Sequence, residues 1–134
     1  DFKTINDSFG HLVGDRVILA LVEKCREIVR KNDYIARFGG DEFAIVMEGA
    51  SLKNAVKKAG RLSKALATTR YAVNDAEDAR ELSFTVSIGV STYRKGDTVS
   101  TVTDRADRAL YAAKAAGKSR VVSEADLEKR PESV

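Results

Sequence analysis

The sequence predicts an α+β fold with a central, mostly antiparallel sheet flanked by helices. Three observations carry this. Segments with apolar residues every three or four positions alternate with short runs rich in β-branched and aromatic residues. Two of those runs are separated by a Gly-Gly pair, which reads as a hairpin turn. The 134 residues, 43% hydrophobic and 32% charged, have ordinary globular composition at the size of one domain, enough for a core without disulfides or metal staples.

The elements follow in order. Residues 4–13 are polar and turn-rich around Asn6, Asp7, Gly10 and His11. From Asp15 onward Val17, Leu21, Cys25, Ile28 and Val29 recur at helical spacing, and Asp15 is placed in the first turn, where a carboxylate suits the helix dipole. Residues 34–38 and 43–47 read as strands around Gly39-Gly40. Residues 51–69 form a second helix, with Leu52, Val56, Ala59, Leu62 and Leu66 on its buried stripe. A charged connector, 70–81, leads to a strand over 82–92, in which Phe84, Val86 and Ile88 alternate with polar neighbours. Residues 99–116 are a third helix stopped by Gly117, 119–123 a short last strand, and 124–134 a charged tail, so the domain proper spans 1–123. A helix that follows a strand must cross back over the sheet, which puts the helices on the sheet faces. With one strand ahead of residue 1 the order becomes β-α-β-β-α-β, the ferredoxin-like arrangement, so the chain is expected to lack its N-terminal strand.

Composition also limits function. Cys25 has no partner, which excludes a disulfide framework and favours a reducing, cytoplasmic compartment. No apolar run approaches a membrane span and the N-terminus is not a signal peptide, so no membrane contact is expected of this domain. Lys plus Arg is 23 against 20 acids, a net +3: compatible with a phosphate-bearing ligand and too weak to indicate nucleic acid.

Four constellations bear chemistry. In Gly39-Gly40-Asp41-Glu42-Phe43 the glycines let phosphates approach the backbone, and the adjacent carboxylates offer hard oxygen ligands for Mg²⁺. Alone, such a segment is more often a tight hairpin with solvated acids at its tip. Asn6 and Asp15 flank a glycine-bearing turn; a carboxylate accepts from guanine N1–H and its exocyclic amine, whereas adenine presents an acceptor there and is rejected. The competing view is a turn residue and an N-terminal helix residue. Asp107, Tyr111, Lys114 and Lys118 fall within about 60° of one another on an ideal helix, and two ammonium groups suit a triphosphate, although cations at a helix end are routine. Arg30 and Asp33, with Arg61 on the next helix, offer a planar fork for phosphate or a guanine edge and a carboxylate for its donors; otherwise they are a surface pair worth little. His11 and Cys25 are given core or turn roles.

Taken together, these segments resemble the GGDEF domain of bacterial diguanylate cyclases. The matching blocks are Phe2-Lys3-Thr4-Ile5-Asn6-Asp7, Gly10-His11, Gly14-Asp15, Arg37 through Phe43, Ser87-Ile88-Gly89-Val90, and Asp107-Arg108-Ala109-Leu110-Tyr111-Ala112-Ala113-Lys114, running from residue 1 to about Val122. The resemblance implies the palm fold of nucleotidyl cyclases and a reaction in which two GTP give cyclic di-GMP and two pyrophosphates. It places Asn6 and Asp15 on guanine, Phe2 and Lys3 beside the triphosphate with Gly39 and Gly40, Asp41 and Glu42 as catalytic acids holding Mg²⁺ or Mn²⁺, and Lys114 and Lys118 on phosphates. Arginine is usual in the family at the position of Lys118; lysine keeps the charge and loses the bidentate fork. Arg30 and Asp33 match the family's Arg-x-x-Asp inhibitory product site, with Arg61 as its secondary arginine. Each domain holds one GTP, so a second copy must face the first.

The family also carries an Asp-x-Asp run directly before the position of Asp1, whose first acid is a metal ligand. The full protein is therefore expected to be a competent cyclase and the 134 residues alone an incompetent one. Two other classes were weighed against this. A non-catalytic cyclic di-GMP receptor has no reason to keep the Asp41-Glu42 pair. An RNA-binding ferredoxin-like module needs exposed aromatics on adjacent strands, whereas most of the nine aromatics here sit at apolar-stripe positions.

Overall fold

A computed structural model describes residues 11–39, 42–72 and 81–128. In chain order these form α1 (His11–Ile28), β1 (Tyr34–Arg37), β2 (Phe43–Val46), α2 (Leu52–Thr68), β3 (Tyr71–Ala72), β4 (Glu81–Leu82), β5 (Ile88–Val90), α3 (Val99–Ala115), β6 (Val121–Ser123) and α4 (Glu124–Glu128). The chain divides into two compact units, Asp1–Gly49 with Lys64–Thr85, and Ala50–Ser63 with Val86–Val134. Two of the three strand pairs are antiparallel, in keeping with the α+β expectation.

In the first unit β1 and β2 form the expected hairpin, with Tyr34 opposite Val46 and Arg37 opposite Phe43. The ladder is extended by the Phe38 N–H, which donates to the Glu42 carbonyl at 2.9 Å. Arg37 braces the turn: its Nε donates to the Gly39 carbonyl at 3.1 Å, and its guanidinium lies over the Phe43 ring, 5.9 Å from the centroid. Helix α1 begins at His11, not at Asp15, so its first turn carries no acid and the dipole role expected of Asp15 is not realised. Cys25 is a core residue at 2% exposure, and burial pushes its thiol up to about 11, which leaves it unreactive at neutral pH. The side chain of His11 lies outside the described part. Segment 70–81, expected as a charged connector, contributes β3 and the first residue of β4, which pair antiparallel.

Helix α2 matches its expected stripe, with Ala59, Leu62 and Leu66 buried. Ser51 caps it by accepting from the Asn54 N–H at 3.1 Å.

The strand expected over 82–92 is divided: residues 81–82 pair with β3, and only Ile88–Val90 pair with β6. Alternation along the chain registers faces, not partners, and two ladders share one alternating run. β5 and β6 are parallel, with Ile88 opposite Val121 and Val90 opposite Ser123, and α3 makes the crossover between them. Ala109, Ala112 and Ala113 form the buried stripe of α3, and Gly89 lets its backbone come down onto β5. A Cβ at Gly89 would lie 2.2 Å from the Ala106 carbonyl oxygen and 2.3 Å from the Leu110 nitrogen. Several aromatics also depart from the stripe expectation: Tyr34, Phe38, Tyr93 and Tyr111 are exposed. On the hairpin face that carries Tyr34, the partner on β2 is Val46, not a second aromatic.

The expected charged tail starts with structure. Residues 124–128 form α4, capped by Ser123 and Asp126: the Ser123 N–H donates to Asp126 Oδ2 at 2.9 Å, and the Asp126 N–H donates to Ser123 Oγ at 3.4 Å. Glu124 is only 3% exposed. It accepts from Arg105 Nε at 2.7 Å and from the Thr92 N–H at 3.1 Å. Arg105 also pairs with Asp97 and donates to the Thr92 carbonyl at 2.8 Å, while Arg94 reaches Glu124 and Glu128. Nothing local in a run of charges reports this burial, because the partners of Glu124 lie 19 and 32 residues away.

This clasp makes stability acid-sensitive. The Arg105 guanidinium, then the Arg94 N–H, hold the Asp97 carboxyl well below the usual carboxylate range. A carboxyl lowered in the folded state contributes fully above its unfolded value of about 4 and loses that contribution as pH falls below it. The melting temperature should therefore drop between about pH 5 and pH 2, and Asp97→Asn should flatten that drop while lowering the plateau. Equal slopes in both proteins would assign the effect to other groups.

Candidate functional site

The β1–β2 turn carries the first constellation. Gly39 is exposed, and among the described residues no atom beyond its chain neighbours lies within 4 Å of where a Cβ would sit. Glu42 is exposed, with its carbonyl tied to Phe38 and its carboxylate at the hairpin tip. Asp15 is exposed on α1. Phe2, Lys3, Asn6, Gly40 and Asp41 lie outside the described residues. The turn brace, Arg37, had no role in the sequence reading beyond its place in a matching block; its adjacency to Gly39 was the available signal.

Arg30 and Asp33 are brought together and interlocked. The Arg30 N–H donates to Asp33 Oδ2 at 2.9 Å, and the Asp33 N–H donates to the Arg30 carbonyl at 2.9 Å. Arg30 Nη2 lies 3.5 Å from Asp33 Oδ1 and donates to the Glu48 carbonyl at 2.6 Å. The Asp33 side chain is fully shielded while that of Arg30 is 53% exposed, so the two are not a fully solvated surface pair. Asp33 is a fixed anchor, and Arg30, whose Nη2 is held by the Glu48 carbonyl, keeps about half of its side chain in solvent. Arg61 is exposed on α2, in the second unit.

Lys114 is exposed in the last turn of α3, on the face that also carries the exposed Asp107 and Tyr111. Lys118 corrects the helical-face expectation, because the helix ends at Ala115. The Gly117 N–H donates to the Lys114 carbonyl at 3.3 Å, and the Lys118 N–H donates to the Ala113 carbonyl at 3.0 Å, the two bonds of a Schellman closure. Gly117 stands at φ +121°, Lys118 at +65° and Ser119 at +54°, so residue 119 is a left-handed turn residue rather than the start of the last strand. The direction of Lys118 is therefore set by this turn and not by helix periodicity.

Among the described residues no three carboxylate, histidine or cysteine side chains gather into a closed metal cage. No helix of the described residues is long and apolar enough to cross a membrane.

The family profile described as "Diguanylate cyclase, GGDEF domain" matches residues 1–120. The chain belongs to the GGDEF domain family. This GGDEF domain is 38% identical over 120 residues to the diguanylate cyclase DgcP of Pseudomonas aeruginosa, covering 90% of this chain and 17% of that protein. It is 38% identical over 125 residues to the response regulator PleD of Caulobacter vibrioides, covering 92% of this chain and 27% of that one. The GGDEF domain thus spans roughly a quarter or less of these two relatives. Its fold is similar to the crystal structure of the GGDEF domain of DgcB from Caulobacter crescentus in complex with c-di-GMP. The TM-score is 0.85 at 27% identity, over 92% of this chain and 72% of that one. It also resembles the active GGEEF domain of a diguanylate cyclase from Vibrio cholerae, with a TM-score of 0.78 at 30% identity, over 92% and 76% of the two chains.

Proposed function

We propose that this GGDEF domain is a diguanylate cyclase domain. Two GTP condense: each 3′-hydroxyl attacks the other's α-phosphorus, each attack expels pyrophosphate, and cyclic di-GMP results. The observation that carries the reading is the family match over residues 1–120, which runs through the intact Gly39–Phe43 motif between the paired strands β1 and β2.

Each residue then has a physical task. Asn6 and Asp15 pair with guanine donors. Phe2 and Lys3 lie beside the triphosphate, and the two glycines, Gly39 and Gly40, carry no side chain to keep it from the backbone. Lys114 and Lys118 neutralise its charge and hold the departing pyrophosphate. Asp41 and Glu42 would hold Mg²⁺ or Mn²⁺. Two adjacent hard carboxylates fit Mg²⁺, which keeps waters and shares its remaining positions with substrate phosphates. When bound, the ion supplies polarisation of the α-phosphate and a more acidic 3′-hydroxyl. Positioning and charge stabilisation are most of what the protein contributes, and two copies must face each other to bring two GTP together, as a homodimer in the cytoplasm.

Product feedback belongs to the same proposal. Arg30, anchored by Asp33, and Arg61 take cyclic di-GMP away from the reaction centre. The deciding experiment incubates the full-length protein with GTP and Mg²⁺ and follows cyclic di-GMP and pyrophosphate. Two pyrophosphates per cyclic product are expected, and no turnover overturns the reading. Binding of cyclic di-GMP without turnover would replace it with that of a receptor. Arg30→Ala should raise the cyclic di-GMP concentration for half-inhibition about tenfold or more, the loss of one charge-assisted contact. Unchanged inhibition would remove Arg30 from the product site.

A further inference from the structure

We propose that Arg120 and Ser87 are positioning residues for the phosphate-binding lysine at 118. They act by pinning one peptide group, the one between Lys118 and Ser119. Arg120 Nε donates to its carbonyl oxygen, on Lys118, at 3.0 Å. Its N–H, on Ser119, donates to Ser87 Oγ at 3.3 Å. Both polar ends of a single peptide plane are therefore held by side chains from two different segments.

The reason such a clamp is needed lies in the backbone. Lys118 and Ser119 both stand in the left-handed region, which costs L residues energy and persists only where the surroundings enforce it. The escape route is a flip of the peptide between them, which rotates ψ of Lys118 and φ of Ser119 together. A flip would break both side-chain bonds at once. Arg120 is itself fixed, because its carbonyl accepts from the Ile88 N–H at 3.0 Å, which ties it to β5. Its guanidinium also fills the space beside Gly117: a Cβ there would lie 2.8 Å from Nη2. The turn is thus seated on Arg120 from one side and on Ser87 from the other, and Lys118 leaves it in one direction.

This assignment rests on the placement of Lys118 at the triphosphate, and its test is independent of turnover. The probe is inorganic tripolyphosphate, titrated calorimetrically into the full-length protein. Ser87→Ala changes no charge, and Arg120→Gln removes the clamp on the carbonyl. Each should weaken binding about fivefold, the worth of one ordinary hydrogen bond. Arg120→Lys keeps the charge and loses the planar Nε–H, and should not restore affinity. In a Lys118→Met background, adding Arg120→Gln should change nothing further, because Arg120 acts through Lys118. Full additivity in that background, rescue by Arg120→Lys, or unchanged affinity in Ser87→Ala would overturn the proposal, as would wild-type protein that does not bind tripolyphosphate. Tripolyphosphate binding with this pattern in a protein that makes no cyclic di-GMP would defeat the cyclase reading and leave the clamp standing.

Discussion

Gly89→Ala is expected to cost about 3 kcal/mol or more of stability, a large share of the 5–15 kcal/mol that a domain of this kind possesses. The clash is with the backbone of α3, the Ala106 carbonyl oxygen at 2.2 Å and the Leu110 nitrogen at 2.3 Å, so no side chain can swing away. Relief requires α3 to lift more than an ångström from β5, to reach the ordinary carbon contact distance of about 3.5 Å. That lift would break the packing of Ala109 and Ala113, both at 0% exposure. Because α3 also carries Lys114, GTP affinity should fall with it. Gly60→Ala is the control: it lies in α2 with nothing within 4 Å of the added methyl, and should be neutral or stabilising by up to about 1 kcal/mol. Chemical denaturation of both variants decides. A Gly89→Ala midpoint within error of wild type would mean that α3 does not rest on the Gly89 backbone.

Asp41→Ala is expected to lower GTP turnover by at least about a hundredfold, the loss of one carboxylate from the proposed metal site, where a divalent ion supplies several kcal/mol of transition-state stabilisation. Asp41→Asn should fall nearly as far, since an amide oxygen keeps the shape and loses the charge that a divalent ion needs. Both variants should still bind cyclic di-GMP through Arg30 and Asp33, which separates loss of chemistry from loss of fold. Initial rates of pyrophosphate release, with melting curves alongside, measure this. Cyclase activity retained in Asp41→Ala would remove Asp41 from the metal site.

The parts of the fold legible from sequence are those governed by local rules. The stripe of α2, the β1–β2 hairpin and the stop at Gly117 each depend on residues within one or two turns of one another. The run over 82–92 failed for the opposite reason. Its alternation is real, but one end pairs with β3 and the other with β6, and no local pattern names a partner. The site divides in the same way. The exposure of Gly39 and Glu42 between β1 and β2 follows from a local hairpin pattern. Lys118 was misplaced because extrapolating a helix by 100° per residue ignores the Schellman closure that ends it.

Sequence alone determined the chemistry on offer: ordered blocks of glycine, carboxylate, lysine and arginine in an α+β pattern, enough to name the family and the ligand class. Only tertiary structure decided how those groups are held. It buried Asp33 beneath Arg30, seated α3 on Gly89, and drew Glu124 out of an apparently solvated tail to meet Arg105. It also turned Lys118 into the left-handed region and pinned it through Ser87 and Arg120. The physical reason is range. Propensity and periodicity act over a few residues, whereas burial of a charge or the close approach of two backbones is settled between segments tens of residues apart.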